Sequence, residues 1–369
     1  MAVAPGLVRD AVIGFLETRD EPASVKEILD AVSASLGRVS PSSVRSYLTL
    51  NVPSLFSRTE RGKYSLSAID DGNVSHVALA PAVTVDKASL YHANCMDWLR
   101  SRDPNSIHAV VTDPPYGLVE YSERELTKLR EGNGGIWRIP PAFDGHRRAP
   151  LPRFTVLSAQ DRVQLHSFFN LFAKRLRKVL VPGANVVVAS NPLLSHLVAS
   201  AMSDAGLELR GTIVRLSMTM RGGDRPKNAH HEFSSVSVMP RSMWEPWVVL
   251  RKPLEGRVQD NLRKWKTGGF RRISDDLPFG DVIKSSPTPR AERLIAPHPS
   301  LKPQSFLRRI VRGSLPLGEG VVLDPFAGSG STLAAANALG YESIGVEADP
   351  KFVRLADEAI AKLSTLTPR

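Results

Sequence analysis

Apolar residues recur along this chain with two spacings, and the change from one to the other outlines its architecture. Over 161–180 they fall three and four positions apart, at Val163, Leu165, Phe168, Leu171, Phe172, Leu176 and Val179, with basic residues between them. That period predicts one long amphipathic helix. Elsewhere the apolar residues come in short unbroken runs bounded by turn formers, at 108–112, 185–189, 321–324 and 343–346, with further strand up to about Met218. Such runs predict strands buried on both faces. Helices are expected between them: a short one at 96–100, one opened by Pro192 and stopped at Gly206, and one over 332–339 closed by Gly340. Pro182-Gly183 is expected to turn the chain into the strand at 185–189. Alternation of strand and helix predicts an α/β fold with a doubly wound, Rossmann-like sheet.

The first 67 residues follow another plan. An amphipathic helix is expected over 6–18, and Ser24 is placed to cap a second over 25–36 that Gly37 stops. Ser40-Pro41 opens a third running to about Leu50. Two short strands over 55–66 then flank Arg61-Gly62. Three helices and a hairpin make a winged helix-turn-helix, a pattern that resembles the winged-helix modules attached to DNA-modifying enzymes. In such a module Ser42, Ser43, Arg45, Ser46 and Tyr47 on the third helix would face DNA, with Arg58, Arg61 and Lys63 on the wing touching phosphate. Winged helices also bind proteins, so that alternative stands beside DNA contact. Residues 68–87, rich in Gly, Ser, Asp and Pro without a period, read as a linker, and 88–369 as the second domain.

Chemistry concentrates at two strand ends. The run at 108–112 ends in Asp113-Pro114-Pro115-Tyr116. An exocyclic amine on a nucleobase has its lone pair delocalised into the ring, and it becomes a nucleophile when acceptors hold its hydrogens. The Asp113 carboxylate and the Pro114 carbonyl can be those acceptors, because prolines stiffen the turn and bring no competing N–H. Tyr116 offers a ring on which a base can stack, worth roughly 1–3 kcal/mol, and a base inside a duplex would first be flipped out. The second strand end is Asp324-Pro325-Phe326-Ala327-Gly328-Ser329-Gly330-Ser331-Thr332. Glycines there permit close approach of a ligand at a helix N-terminus. Glu347, at the end of the following strand, is placed to accept hydrogen bonds from ribose hydroxyls. No Gly-Lys-Ser/Thr follows, and Asp324 would repel a pyrophosphate; it suits a positively charged amino-acid moiety instead.

Together these motifs resemble the DNA amino-methyltransferases, and their order, catalytic motif before cofactor motif, is similar to the β class. His298-Pro299-Ser300-Leu301-Lys302-Pro303 resembles the family segment that lies against the methionine part of the cofactor. The resemblance covers roughly residues 88–362. It implies S-adenosylmethionine as cofactor, without a metal, and methylation of adenine N6 in double-stranded DNA, with cytosine N4 as the alternative. It assigns Asp113, Pro114, Pro115 and Tyr116 to catalysis. To the cofactor it assigns Asp324, Phe326, Ala327, Gly328, Gly330, Ser331, Thr332, Glu347, His298, Ser300 and Lys302, together with Asn94 and Cys95, where asparagine stands in place of the family's acid. Target recognition is expected over about 219–296, with Arg221, Arg225 and Lys227 on a polar DNA-reading loop. A DNA-binding regulator with an inactive methyltransferase domain is the weaker alternative.

Charge and composition agree with a nucleic-acid partner. The formal net charge is +11, which draws a protein to polyanions by counterion release. Residues 241–312 hold 16 Lys/Arg against 7 Asp/Glu, interleaved with Trp244, Trp247, Trp265 and Phe270. The single cysteine, Cys95, excludes a disulfide framework and a four-cysteine zinc site, and it lacks the Pro-Cys context of a thiolate route to cytosine C5. His230-His231-Glu232 lacks the spacing of a helical zinc motif. With no signal peptide and no apolar run of about eighteen residues, the expected compartment is the cytoplasm, at the nucleoid. A homodimer and cognate restriction or defence proteins stand as candidate partners. The irregular stretch 117–154 is expected to close over an extruded base or to grip DNA, with Trp137 or Phe143 helping to occupy the gap the base leaves.

Overall fold

The computed structural model describes residues 7–16, 19, 21–37, 39–50, 52, 56–66, 80–115, 159–221, 226, 229, 231–238, 240, 242–298 and 300–367. The expected loop at 117–154, with Trp137 and Phe143, and the residues Tyr116, Arg225, Lys227 and His230 lie outside them.

In the N-terminal unit, α1 (Leu7–Leu16), α2 (Val25–Leu36) and α3 (Pro41–Leu50) pack with a small sheet of β1 (Ala23–Ser24), β2 (Phe56–Glu60) and β3 (Lys63–Leu66). β3 lies between the other two and is antiparallel to both. The start of α2 is fixed as its sequence requires: Ser24 Oγ accepts from the Glu27 N–H at 3.2 Å and the Glu27 carboxylate accepts from the Ser24 N–H at 2.8 Å. A reciprocal cap of this kind contributes about 1 kcal/mol. Val12, Ile13, Ile28, Val32, Val44, Leu48 and Phe56 form the unit's own core.

The larger unit is built on a nine-stranded sheet. Its strands are β4 (Val83–Val85), β5 (Ala88–His92), β6 (Ile107–Thr112), β7 (Leu180–Ala189), β8 (Glu208–Arg221), β9 (Ser242–Arg251), β10 (Val282–Lys284), β11 (Val321–Asp324) and β12 (Glu342–Glu347). Their spatial order is β10-β8-β9-β7-β6-β11-β12-β5-β4. From β7 to β5 every pairing is parallel, while β9 runs antiparallel to both of its neighbours. Successive side chains of a strand point to opposite faces, and the valines show it. Val110, Val186 and Val188 pack on one face with α4 (Cys95–Arg100), α5 (Ala159–Val179) and α6 (Ser195–Asp204). Val111 and Val187 pack on the other against Phe306, Leu307, Ile310 and Val311 of α9 (Gln304–Ser314). The remaining helices are α7 (Val258–Trp265), α8 (Arg290–Ile295), α10 (Ser331–Ala338) and α11 (Pro350–Thr365). α5 also receives the N-terminal unit: Ser35 Oγ donates to Ser167 Oγ at 3.1 Å, and a Cβ on Gly14 would lie 3.3 Å from Leu171.

Three expectations about the fold need correction. Part of the expected linker at 68–87 is strand: Val83–Val85 pairs antiparallel with Ala88–His92, because alternating burial lets Val83 join the core. Pro182-Gly183 does not separate helix from strand; β7 begins at Leu180 and passes through them with a shift in its register against β6. The expected recognition region, 219–296, contains a central strand of the sheet: β9 buries Trp247, Val248, Val249 and Leu250. Nor does every basic residue of that region face the end of the sheet that carries Asp113. Lys252 donates to the Leu180 carbonyl at 2.6 Å, and Asn261 of α7 donates to the Pro182 carbonyl at 3.0 Å, so this cluster sits at the start of β7, away from Asp113.

Candidate active site

The chain leaves β6 towards β7 on one side and β11 towards β12 on the other, so the order of strands reverses between β6 and β11. In an open α/β sheet the crevice beyond the carboxyl ends of the strands at such a point is the natural ligand site. Asp113 follows the last residue of β6 and Asp324 is the last residue of β11. Both line one cleft, with Trp247, His298, Ser300, Lys302, Leu307, Phe326, Ala327, Gly328, Ser329, Ser331 and Thr332.

Asp324 is only 3% exposed, yet its carboxylate is well held. Its Oδ1 accepts from Thr112 Oγ1 at 2.7 Å and from the Phe326 N–H at 3.1 Å. Burial pushes its pKa up to about 6; hydrogen bonds from Thr112, Thr332 and the Phe326 amide oppose the rise, and the charge of Asp113 adds to it. The turn after it is tight. Gly328 has φ +52, and a Cβ there would lie 3.0 Å from His298 Nε2. Gly330, at φ +76, is the N-cap of α10. Glu347 accepts from the Gly328 N–H at 2.8 Å and from the Asp349 N–H at 2.8 Å, so the glycine turn fixes the orientation of the carboxylate at the end of β12.

His298 packs edge-on against Phe352, with ring centroids 4.4 Å apart, and its Nδ1 accepts from the Ser300 N–H at 3.2 Å. Burial, and secondarily the Lys302 charge, hold its pKa down at about 4, so it is neutral at pH 7 with the proton on Nε2. Phe326 is flanked by Phe168 and Phe172 of α5, at centroid distances of 6.3 and 5.5 Å, which ties the cofactor turn to the long helix.

Asp113 faces a cation. Lys302 Nζ donates a hydrogen bond to its Oδ2, so the lysine that resemblance assigned to the cofactor segment also reaches the carboxylate assigned to catalysis. Pro114 is buried and Pro115 exposed. Asn94 and Cys95 are not in the cleft lining: Asn94 Oδ1 accepts from the Met96 N–H at 2.9 Å as the cap of α4, and Cys95 is buried in the core. A short polar residue is what a helix start requires, which accounts for the asparagine without a ligand.

In the N-terminal unit Arg45 and Arg61 are exposed, as is Lys63, whose Nζ pairs with Glu60 at 3.0 Å. Tyr47 is half-buried and its ring meets Phe56 edge-on at 5.7 Å, so it belongs to the core of that unit and not to an outward face. Arg221 ends β8, paired with Ser242. Among Trp244, Trp247, Trp265 and Phe270, only Trp244 counts as exposed, and Trp247 is wholly buried. Among the described residues no group of three or more His, Cys, Asp or Glu side chains is arranged to hold a metal, and no helix is long and apolar enough to cross a membrane.

Sequence reasoning assigned no role to Thr112, Trp247 or Glu245. Thr112 was visible as the one polar residue closing an apolar run; the other two fell inside the expected recognition region. Glu245 accepts from Trp247 Nε1 at 2.8 Å and from Arg215 Nη1 at 3.2 Å, and its Oε1 lies 3.8 Å from Lys302 Nζ.

The family model of the N6/N4 type described as DNA methylase matches residues 107–358, more than half of the chain. The type II methyltransferase M2.DpnII of Streptococcus pneumoniae is 22% identical over 278 residues, 75% of this chain and 90% of that protein. M.HindIII of Haemophilus influenzae, also a type II methyltransferase, is 23% identical over 283 residues, 70% of this chain and 90% of that protein. Among solved structures, the cytosine-N4-specific PvuII DNA methyltransferase aligns with 77% of this chain and 94% of its own at 15% identity, with a TM-score of 0.49.

Proposed function

Because the chain belongs to the N6/N4 DNA methylase family, we propose that it methylates the N6 amine of adenine in duplex DNA, using S-adenosylmethionine and flipping the target base out of the helix. The observation that carries this reading is the meeting of Asp113 and Asp324 at adjoining strand ends around one cleft, joined through the Thr112 hydrogen bond.

The cleft suits the proposed cofactor. A buried carboxylate is costly unless a cation or donors meet it, and Asp324 stands ready for an ammonium group. Gly328 keeps the turn open where a Cβ would crowd His298, and Glu347 presents oriented acceptor oxygens for vicinal hydroxyls. When bound, S-adenosylmethionine supplies a sulfonium methyl group, and the protein is left with positioning and electrostatics.

On the substrate side, Asp113 and the Pro114 carbonyl accept the two hydrogens of the amine and turn its lone pair towards the methyl donor. Positive charge develops on the amine nitrogen as the new C–N bond forms, and the Asp113 carboxylate stabilises it. Asp113 then holds the released proton before it passes to water. Tyr116 is assigned to stacking by the resemblance. We further propose that the N-terminal unit is a winged helix on DNA phosphate, with Arg45, Arg58 and Arg61 outward.

The test is nucleoside mass spectrometry of mixed-sequence duplex DNA after incubation with isotopically labelled S-adenosylmethionine. Labelled N6-methyladenine is expected. Labelled N4-methylcytosine would correct the base and keep the mechanism, and no label in either would reject the reading.

A further inference from the structure

The contact between Lys302 and Asp113 poses a problem for the reaction proposed above. An ammonium bonded to Asp113 competes with the target amine for that carboxylate, and it opposes the positive charge that develops on the amine during transfer. At a partly buried distance of about 4 Å that opposition is several-fold stronger than in water. A second seat for the lysine is therefore needed, close enough to reach by side-chain rotation.

Glu245 is built as that seat. It sits on β9, two residues before the cleft-lining Trp247, and both its oxygens are fixed: Oε1 by Trp247 Nε1 at 2.8 Å and Oε2 by Arg215 Nη1 at 3.2 Å. Arg215 is itself anchored. Its Nε donates to Ser285 Oγ at 2.9 Å, its Nη2 to the Ser286 carbonyl at 3.2 Å, and its guanidinium lies 5.1 Å from the centre of the Phe306 ring. The Glu245 side chain is 13% exposed and that of Arg215 is 5% exposed, so the pair is a fixed internal feature and not a surface bridge. Lys302 Nζ, bonded to Asp113, already lies 3.8 Å from Glu245 Oε1 and 3.5 Å from the Ser300 carbonyl.

We propose that Glu245 is a positioning residue for methyl transfer, receiving the Lys302 ammonium when the target amine takes its place on Asp113. The inference rests on the amino-methyltransferase reading. The move releases the carboxylate to the amine and draws a positive charge away from the reacting nitrogen. Among the described residues, the charged or titratable groups facing Asp113 and Lys302 include Asp324 from β11, His298 from the segment before α9, and Glu245 from β9, backed by Arg215 from β8.

The experiment is a double-mutant cycle of Glu245→Gln and Lys302→Met in the full chain, read by single-turnover methyl transfer to duplex DNA and by S-adenosylmethionine affinity. Glutamine keeps an acceptor for Trp247 and removes the charge, and its amide nitrogen no longer accepts from Arg215, a loss common to both backgrounds of the cycle. Glu245→Gln should lower the transfer rate by about ten-fold or more, with cofactor affinity within about two-fold, because the cation stays on Asp113. In the Lys302→Met background the same substitution should change the rate by less than about two-fold, since no cation remains to be moved. Additive losses, or a loss of cofactor affinity as large as the loss of rate, would overturn the proposal while leaving the methyltransferase reading intact. Absence of transfer by the unaltered protein would overturn both. If Glu245→Gln fails to fold, Glu245→Asp replaces it in the cycle, with the same non-additivity expected.

Discussion

Two aspartates end neighbouring strands of this sheet, and the protein treats them oppositely. Asp324 is sealed in the core, held by Thr112 and a backbone amide, and pushed towards neutrality by burial. Asp113 stands at the cleft with a lysine cation on it. The difference teaches a division of labour: one carboxylate is poised to gain a counter-charge from a bound cation, the other to exchange one donor for another. In our reading the first holds the cofactor and the second the amine.

Removing Asp113 should give the largest effect. Asp113→Ala is expected to reduce methyl transfer by at least about 10²–10³-fold, the range for loss of a group aimed at developing charge, with cofactor affinity largely kept; near-normal turnover would end its assigned role. Next comes the cofactor turn. Gly328→Ala combines a left-handed backbone with a 3.0 Å approach to His298 Nε2. Strain of about 1–3 kcal/mol is expected, read as roughly ten-fold or greater loss of cofactor affinity in calorimetric titration.

A pH titration sharpens the contrast further. The pKa of Asp324 is raised to about 6 in the fold. A raised carboxylate pKa means that its contribution to stability is fully present below the unfolded value and is lost as pH rises through about 6, where the buried group ionises. A cationic ligand reverses that loss by pairing with the ionised form. Cofactor affinity should therefore rise about ten-fold between pH 5 and 7, and Asp324→Asn should flatten the slope; an equal slope in the variant would assign the titration elsewhere. The smallest effect is expected far from the cleft. Replacing Arg45, Arg58 and Arg61 by alanine should lower DNA affinity and reduce the salt slope by about one unit per lost phosphate contact, leaving transfer at saturating DNA unchanged. Substitution is preferred to deletion because α1 and α2 cover α5.

The same two aspartates show what the sequence could and could not reveal. The surroundings of Asp324 are mostly local: the glycine turn, the α10 start and Glu347 lie within one strand-helix-strand unit, and their spacing was enough to predict them. Ser24 was legible for the same reason, since a capping box is written in four consecutive residues. The surroundings of Asp113 are not local. Lys302 comes from 189 positions later in the chain and Glu245 from a strand whose apolar run is broken by Pro246, so neither spacing nor period links them. Tyr47 misled because a helical face read without its partner, Phe56, looks the same whether it meets solvent or a hairpin. Asn94 misled because a cap and a ligand call for the same short polar side chain.

The most direct test of the division of labour loads labelled S-adenosylmethionine onto Asp113→Asn and Asp324→Asn proteins side by side, and follows both binding and a single turnover on duplex DNA. The account predicts that Asp113→Asn binds the cofactor normally and fails to transfer, while Asp324→Asn binds weakly and regains transfer as cofactor is raised to saturation. The reverse pattern, with Asp113→Asn losing the cofactor and Asp324→Asn binding it normally without transfer, would contradict it.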